Sequence, residues 1–279
     1  MLKIRRRGLP KGWYPATEED IRVHLRRWSP VPAAVSAIAG VVPHAGWEFC
    51  GSMIASVLVS LSDDIQTMVV LGGHNPTGGL FINYSEDAWE LPAGLYSRDS
   101  AYVDSVEKSL TEDMPSIEER DVDNTVEVVM AMAGVVKPRS KWAAWRVPSD
   151  ERAIKFGELL AEAAKSEGRS VAVIGSTDLT HYGPNYGFMP PESRNDPVTW
   201  VEKRDRLLLD AIVSGDAERA LELSESHHSA CSIGGAIAAM SFAHSKGKDK
   251  GQLLSYSTSR DIYPSPSFVG YGAVIWGSE

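Results

Sequence analysis

The chain has 279 residues, 43% hydrophobic and 23% charged, which is enough for one large core or two small ones. Its formal net charge of -9 argues against non-specific binding to nucleic acid and against an anionic membrane surface. No run of about 18 apolar residues occurs, so no transmembrane helix is expected. The basic stretch Lys3-Ile4-Arg5-Arg6-Arg7 leads into no apolar segment and is read as neither signal nor transit peptide. With only Cys50 and Cys231, a secreted disulfide scaffold is not expected; the reading is a reduced, cytoplasmic protein.

In chain order, residues 1 to 15 read as an extended lead-in containing "GLPKGWYP". "ATEEDIRVHLRRW" follows as a short helix, with Thr17 as N-cap, acids in the first turn and Arg26 and Arg27 in the last. Strands and helices then alternate. Strands are expected at Val35 to Val42, Thr67 to Leu71, Leu80 to Tyr84, Trp142 to Val147, Ser170 to Ile174, Leu253 to Ser257 and Val269 to Trp276. Helices are expected near 51–61, 100–111, 124–136, 149–166, 197–213, 216–225 and 234–245. The clearest is "SDERAIKFGELLAEAAKSEG", with Ser149 as cap and Gly168 as stop. Alternation of this kind predicts an α/β layered fold with a mixed or largely parallel central sheet, the closely spaced last two strands being antiparallel. No repeat or long linker divides the chain. Residues 1-279 are read as a single domain, with 1-30 as its lead-in and short helix.

Three strands end in the same way. "AIAGVVPHAG" presents His44, "TMVVLGGHNP" presents His74, and "SVAVIGSTDLTHYG" presents Asp178 and His181. One such residue alone is read as a turn or cap. Three together on the carboxyl ends of strands, where ligands of open α/β sheets bind, read as a site. Cys231, just ahead of the small-residue helix "SIGGAIAAM", is a fourth candidate, because a helix N-terminus favours a thiolate. Against it stands the reading of a buried small hydrophobe, which is also the reading of Cys50. His227 and His228 are read as solvated, and Met130, Met132 and Met240 as core. Two imidazoles with a carboxylate suit non-haem Fe(II); two with a thiolate suit Zn, Cu or Fe. "LGGHNPTGG" is glycine-rich but lacks the lysine of a phosphate loop.

These segments resemble the Memo-like family, also labelled system protein B of the AMMECR–Memo–radical SAM cluster. "PHAGWEFCG", "DNTVEV", "STDLTHYG", "SACSIGGAIAAM" and "LLSYSTSRDI…SFVGYGAVIW" follow its motifs in order, from about residue 30 to the end. The resemblance implies an α/β/α fold similar to class III extradiol ring-cleavage dioxygenases. It makes His44, His74 and Cys231 the metal ligands, with His181 the acid/base residue and Asp178 beside it. Three positions depart from the pattern: His74 arrives one residue early, Asn124 stands where a histidine is usual, and Ser232 where glycine is common. The resemblance implies a dioxygenase-type oxidoreductase acting on a small molecule with Fe(II), or with Cu or Zn. The alternatives are a non-catalytic metal- or peptide-binding module using the same cleft, and a hydrolase using metal-bound water.

Overall fold

Thr67–Gly72 is buried along its whole length, and its alternate residues belong to two different cores. Val69 and Leu71 pack with one apolar cluster, Met68 and Val70 with another. A strand turns successive side chains to opposite faces, so a continuously apolar strand must have helices on both sides. The computed structural model, which describes residues 2–119 and 121–278, has that layout.

The elements are β1 (Ile4–Arg5), α1 (Glu18–Trp28), β2 (Ser36–Val42), α2 (Trp47–Ser60), β3 (Thr67–Gly72), β4 (Phe81–Asn83), β5 (Ala88–Leu91), β6 (Gly94–Ser97), α3 (Ser100–Ser109), β7 (Ser116–Glu118), α4 (Asn124–Val136), β8 (Lys141–Arg146), α5 (Arg152–Ser166), β9 (Val171–Ser176), β10 (His181–Tyr182), α6 (Pro197–Ser214), α7 (Ala217–His227), α8 (Ile233–Ser245), β11 (Gln252–Thr258) and β12 (Phe268–Ser278). The main sheet runs β10-β12-β2-β9-β3-β8-β4-β7, with β11 also on β12. Its centre, β2-β9-β3-β8, is parallel. β12 pairs antiparallel with β2, β10 and β11, so the sheet is mixed and largely parallel. Helices α1, α2 and α4 contribute to the core on one face, and α3 and α5 to α8 to the core on the other. The α/β/α layering expected from the sequence is therefore present. No helix among the described residues is long and apolar enough to cross a membrane.

Every strand and helix expected from the sequence exists, with shifted ends. α1 begins after Thr17, whose hydroxyl oxygen accepts the Asp20 N–H. Ser149 does not cap α5. That helix starts at Arg152, and the carboxylate of Asp150 holds the preceding turn by accepting the N–H of Arg152 and of Gly78. α2 begins earlier than expected, at Trp47. The lead-in is more than extended chain. β1 joins β5 and β6 in a small separate sheet, and Gly8 N–H, Leu9 N–H and the Tyr14 hydroxyl all donate to the buried carboxylate of Glu127 on α4. A buried carboxylate is tolerable when donors surround it in this way.

A candidate metal centre at the strand ends

Because β9 lies between β2 and β3 and runs parallel to both, the three strands finish on one rim. Val42 pairs with Ser176 and Leu71 with Gly175. His44, Thr177-Asp178 and His74 lie just beyond those ends. Cys231 reaches the same rim from α8, its N–H donating to the Asp178 carbonyl at 3.2 Å. Donor atoms of His44, His74 and Cys231 all lie within 4.8 Å of one another. Cys231 Sγ is 3.2 Å from His44 Nε2, close to the roughly 3.5 Å between ligand atoms on a tetrahedral ion.

Each donor is held by its neighbours. His44 is buried, and its Nδ1 lies 2.9 Å from Ser176 Oγ, which leaves Nε2 for the cluster. The Asp178 carboxylate accepts the His44 backbone N–H at 2.8 Å. His74 stands in the left-handed region, φ 53°, unusual for a residue with a side chain. Three groups fix that turn: Thr125 Oγ accepts Gly73 N–H, Ser232 Oγ accepts His74 N–H, and Arg146 Nε donates to the Gly73 carbonyl. Ser232, read in the sequence only as a departure, thus holds the backbone of His74. Asn124, the other departure, donates from Nδ2 to the His44 carbonyl at 3.2 Å.

Burial dominates the electrostatics. It lowers the pKa of His44 to about 3, helped by the positive charge that His74 would carry. It pushes the Cys231 thiol up to about 12, and the nearby Asp178 carboxylate adds to that. Without an ion the pair is therefore neutral thiol and neutral imidazole; a bound cation would displace the thiol proton. Burial also raises Asp178 and lowers His181. His181 is not one of the three clustered donors. Its backbone pairs with Val269, and its ring meets Tyr186 edge-on with centroids 5.0 Å apart. His44, His74, Asp178 and His181 all line one cavity of about 620 Å³.

The expected residues thus converge on one rim: three as a cluster, Asp178 beneath it, and His181 on the cavity wall. Cys50 is buried and donates to the Ala45 carbonyl, as a packing residue. His228 is exposed and His227 half-buried, while Met130, Met132 and Met240 are in the core. The supporting groups Ser176, Thr125 and Arg146 were not picked out in the sequence. Thr125 and Ser176 carried only the weak signal of a hydroxyl beside a candidate, and Arg146 none.

The class these features define is a mixed-sheet α/β/α protein with a two-histidine, one-cysteine group at the carboxyl ends of its parallel strands. A model of the family described as Memo-like protein matches residues 7–275, and the chain belongs to that family. It is 28% identical to a MEMO1 family protein of Archaeoglobus fulgidus, over 95% of this chain and 96% of that one. It is 29% identical to one of Thermococcus onnurineus, over 85% of this chain and 86% of the other.

Proposed function

We propose that the protein binds one divalent transition ion through His44, His74 and Cys231, and that it is a dioxygenase-type oxidoreductase for a small molecule held in the strand-end cavity. The observation that carries this reading is the convergence of three donors from separate segments to within 4.8 Å of one another, two of them, His44 and His74, lining the cavity. Neutral imidazoles and a thiolate form a borderline-to-soft set, which favours Fe(II), then Cu or Zn, over Mg. Two cysteines left unpaired fit a reducing, cytoplasmic setting.

The ion would supply an open coordination position and redox capacity. The chain's own residues do the rest. Ser176 orients His44, and Asp178 holds the backbone on which His44 is mounted. His181, kept neutral by burial, takes a proton at a ring nitrogen from a substrate hydroxyl and returns it later. Phe49 and Val269 give part of the cavity wall an apolar surface for a substrate.

Anaerobic purification followed by elemental analysis and titration with Fe(II), Cu and Zn tests the reading. One ion per chain is expected, lost in Cys231→Ala. Failure of all three ions to bind stoichiometrically would favour a non-catalytic, peptide-binding module.

A further inference from the structure

The polar lining of the strand-end cavity holds one ammonium group and several hydroxyls, beside three imidazoles and the Asn124 amide. Asp178 is the one carboxylate in that lining, and it is engaged by the backbone N–H groups of His44 and Ala45. Three serines on the opposite side of the balance have their oxygens engaged as acceptors. Ser259 Oγ takes the Val269 N–H at 3.0 Å, Ser265 Oγ the Ser267 N–H at 3.1 Å, and Ser267 Oγ the Asn185 N–H at 3.1 Å. A hydroxyl has one proton to donate; these contacts leave those of Ser265 and Ser267 for a ligand, while the Ser259 hydroxyl also meets the Tyr271 phenol. The phenols of Tyr186 and Tyr263, 47% and 70% exposed, add further donors at the mouth. Lys11 brings an ammonium group that forms no ion pair among the described residues. Trp13, Phe49 and Val269 supply apolar surface in the same cavity.

We infer that the cavity selects a small organic acid: one carboxylate on an apolar body, the carboxylate taken by Lys11 and the serine hydroxyls, the body by Trp13, Phe49 and Val269. A single lysine among neutral donors matches one negative charge better than the two of a phosphate monoester. Burying an amine here would set its protons against the Lys11 ammonium and the hydroxyl donors, so cations are disfavoured. The inference deepens the reading of this cavity as the functional site, but the selectivity does not depend on the metal.

The test is a charge series on one carbon skeleton: hydrocinnamate, hydrocinnamyl alcohol and phenylpropylamine. Each is titrated calorimetrically into the full chain, chelator-treated and zinc-loaded, as wild type, Lys11→Gln and Ser265→Ala. Hydrocinnamate is expected to bind chelator-treated wild type about tenfold tighter than the alcohol, with the amine weakest. Lys11→Gln, at an exposed position, should remove most of that advantage and leave the alcohol unchanged. Ser265→Ala should weaken the acid alone. Equal binding of acid and alcohol, an acid preference unchanged in Lys11→Gln, or no saturable binding by any of the three would overturn the inference. So would an acid preference seen only with zinc, because direct coordination would then be its source. Loss of zinc binding with acid selectivity intact would instead sink the metal reading and leave this one standing.

Discussion

His44 is held from both sides, by Ser176 at Nδ1 and by Asp178 at its backbone N–H. It is 1% exposed, so no water can replace a lost partner easily. His44→Ala should therefore abolish stoichiometric metal binding. Ser176→Ala keeps the ligand but frees its ring, and should weaken affinity by about 10- to 100-fold, the usual cost of losing a ligand's hydrogen-bond partner. His181→Ala should leave metal content near wild type while cutting any turnover by roughly 10²–10⁴-fold. Metal analysis and activity on the same preparations distinguish the three. If His181→Ala empties the site as fully as His44→Ala, His181 is a ligand and the division of roles is wrong.

Two element-level contacts aim the site. The first is α8 against β9, where an added Cβ on Gly175 would lie 2.4 Å from the Gly235 carbonyl oxygen and 2.7 Å from Ala236 Cα. Backbone meets backbone there, so neither side can yield by changing rotamer. Gly175→Ala should lower stability by about 1–3 kcal/mol in urea unfolding and push the Cys231 end of α8 off the rim, weakening metal affinity as well. An unchanged midpoint would mean that the helix is free to slide. The second contact is Asp205 on α6. It is fully buried and accepts from Thr180 N–H, the Thr180 hydroxyl and the Tyr256 hydroxyl, fixing the segment between Asp178 and His181. Burial raises its pKa from 3.8 to about 6 despite those donors. A carboxyl raised on folding binds its proton more tightly in the native state. Its stabilisation is complete at pH below 3.8, declines as pH rises to about 6, and is flat beyond. The loss over that window is on the order of 3 kcal/mol. Asp205→Asn should remove this slope, so the stability difference between variant and wild type should change across the window and become constant above it. A parallel pair of pH–stability curves would show that Asp205 ionises normally.

At the scale of the whole molecule, the donors come from sequence positions 44, 74 and 231, so the cluster exists only when the sheet and α8 are assembled. An ion that binds the native state and not the unfolded chain must stabilise the fold. At a hundredfold excess over its dissociation constant the gain is about 2.7 kcal/mol. The thermal midpoint should rise with zinc in wild type and stay fixed in Cys231→Ser. A rise of equal size in that variant would place the ion elsewhere.

The sequence by itself determined the layers and the rim. Strands such as β3 are apolar without interruption, which requires cover on both faces, and their order of alternation with helices requires parallel pairing. Polar residues that follow such strands must then emerge on one edge, so His44, His74, Asp178 and His181 were legible as a group. Periodicity is a local signal, and it placed these elements to within a few residues. It missed β7 and β10, which are two or three residues long, and β1, β5 and β6, which are short and make a separate sheet whose pairing joins the lead-in to residues more than eighty positions away. Only the tertiary structure decided which residues hold the site. Thr125, Arg146, Ser176 and Ser232 are ordinary helix-start, strand-end or turn residues until the β2-β9-β3 register sets them beside the histidines. The left-handed turn at His74 is likewise invisible in the residue itself. Histidine visits that conformation more often than most side chains but still seldom, and hydrogen bonds from elements distant in the chain hold it there.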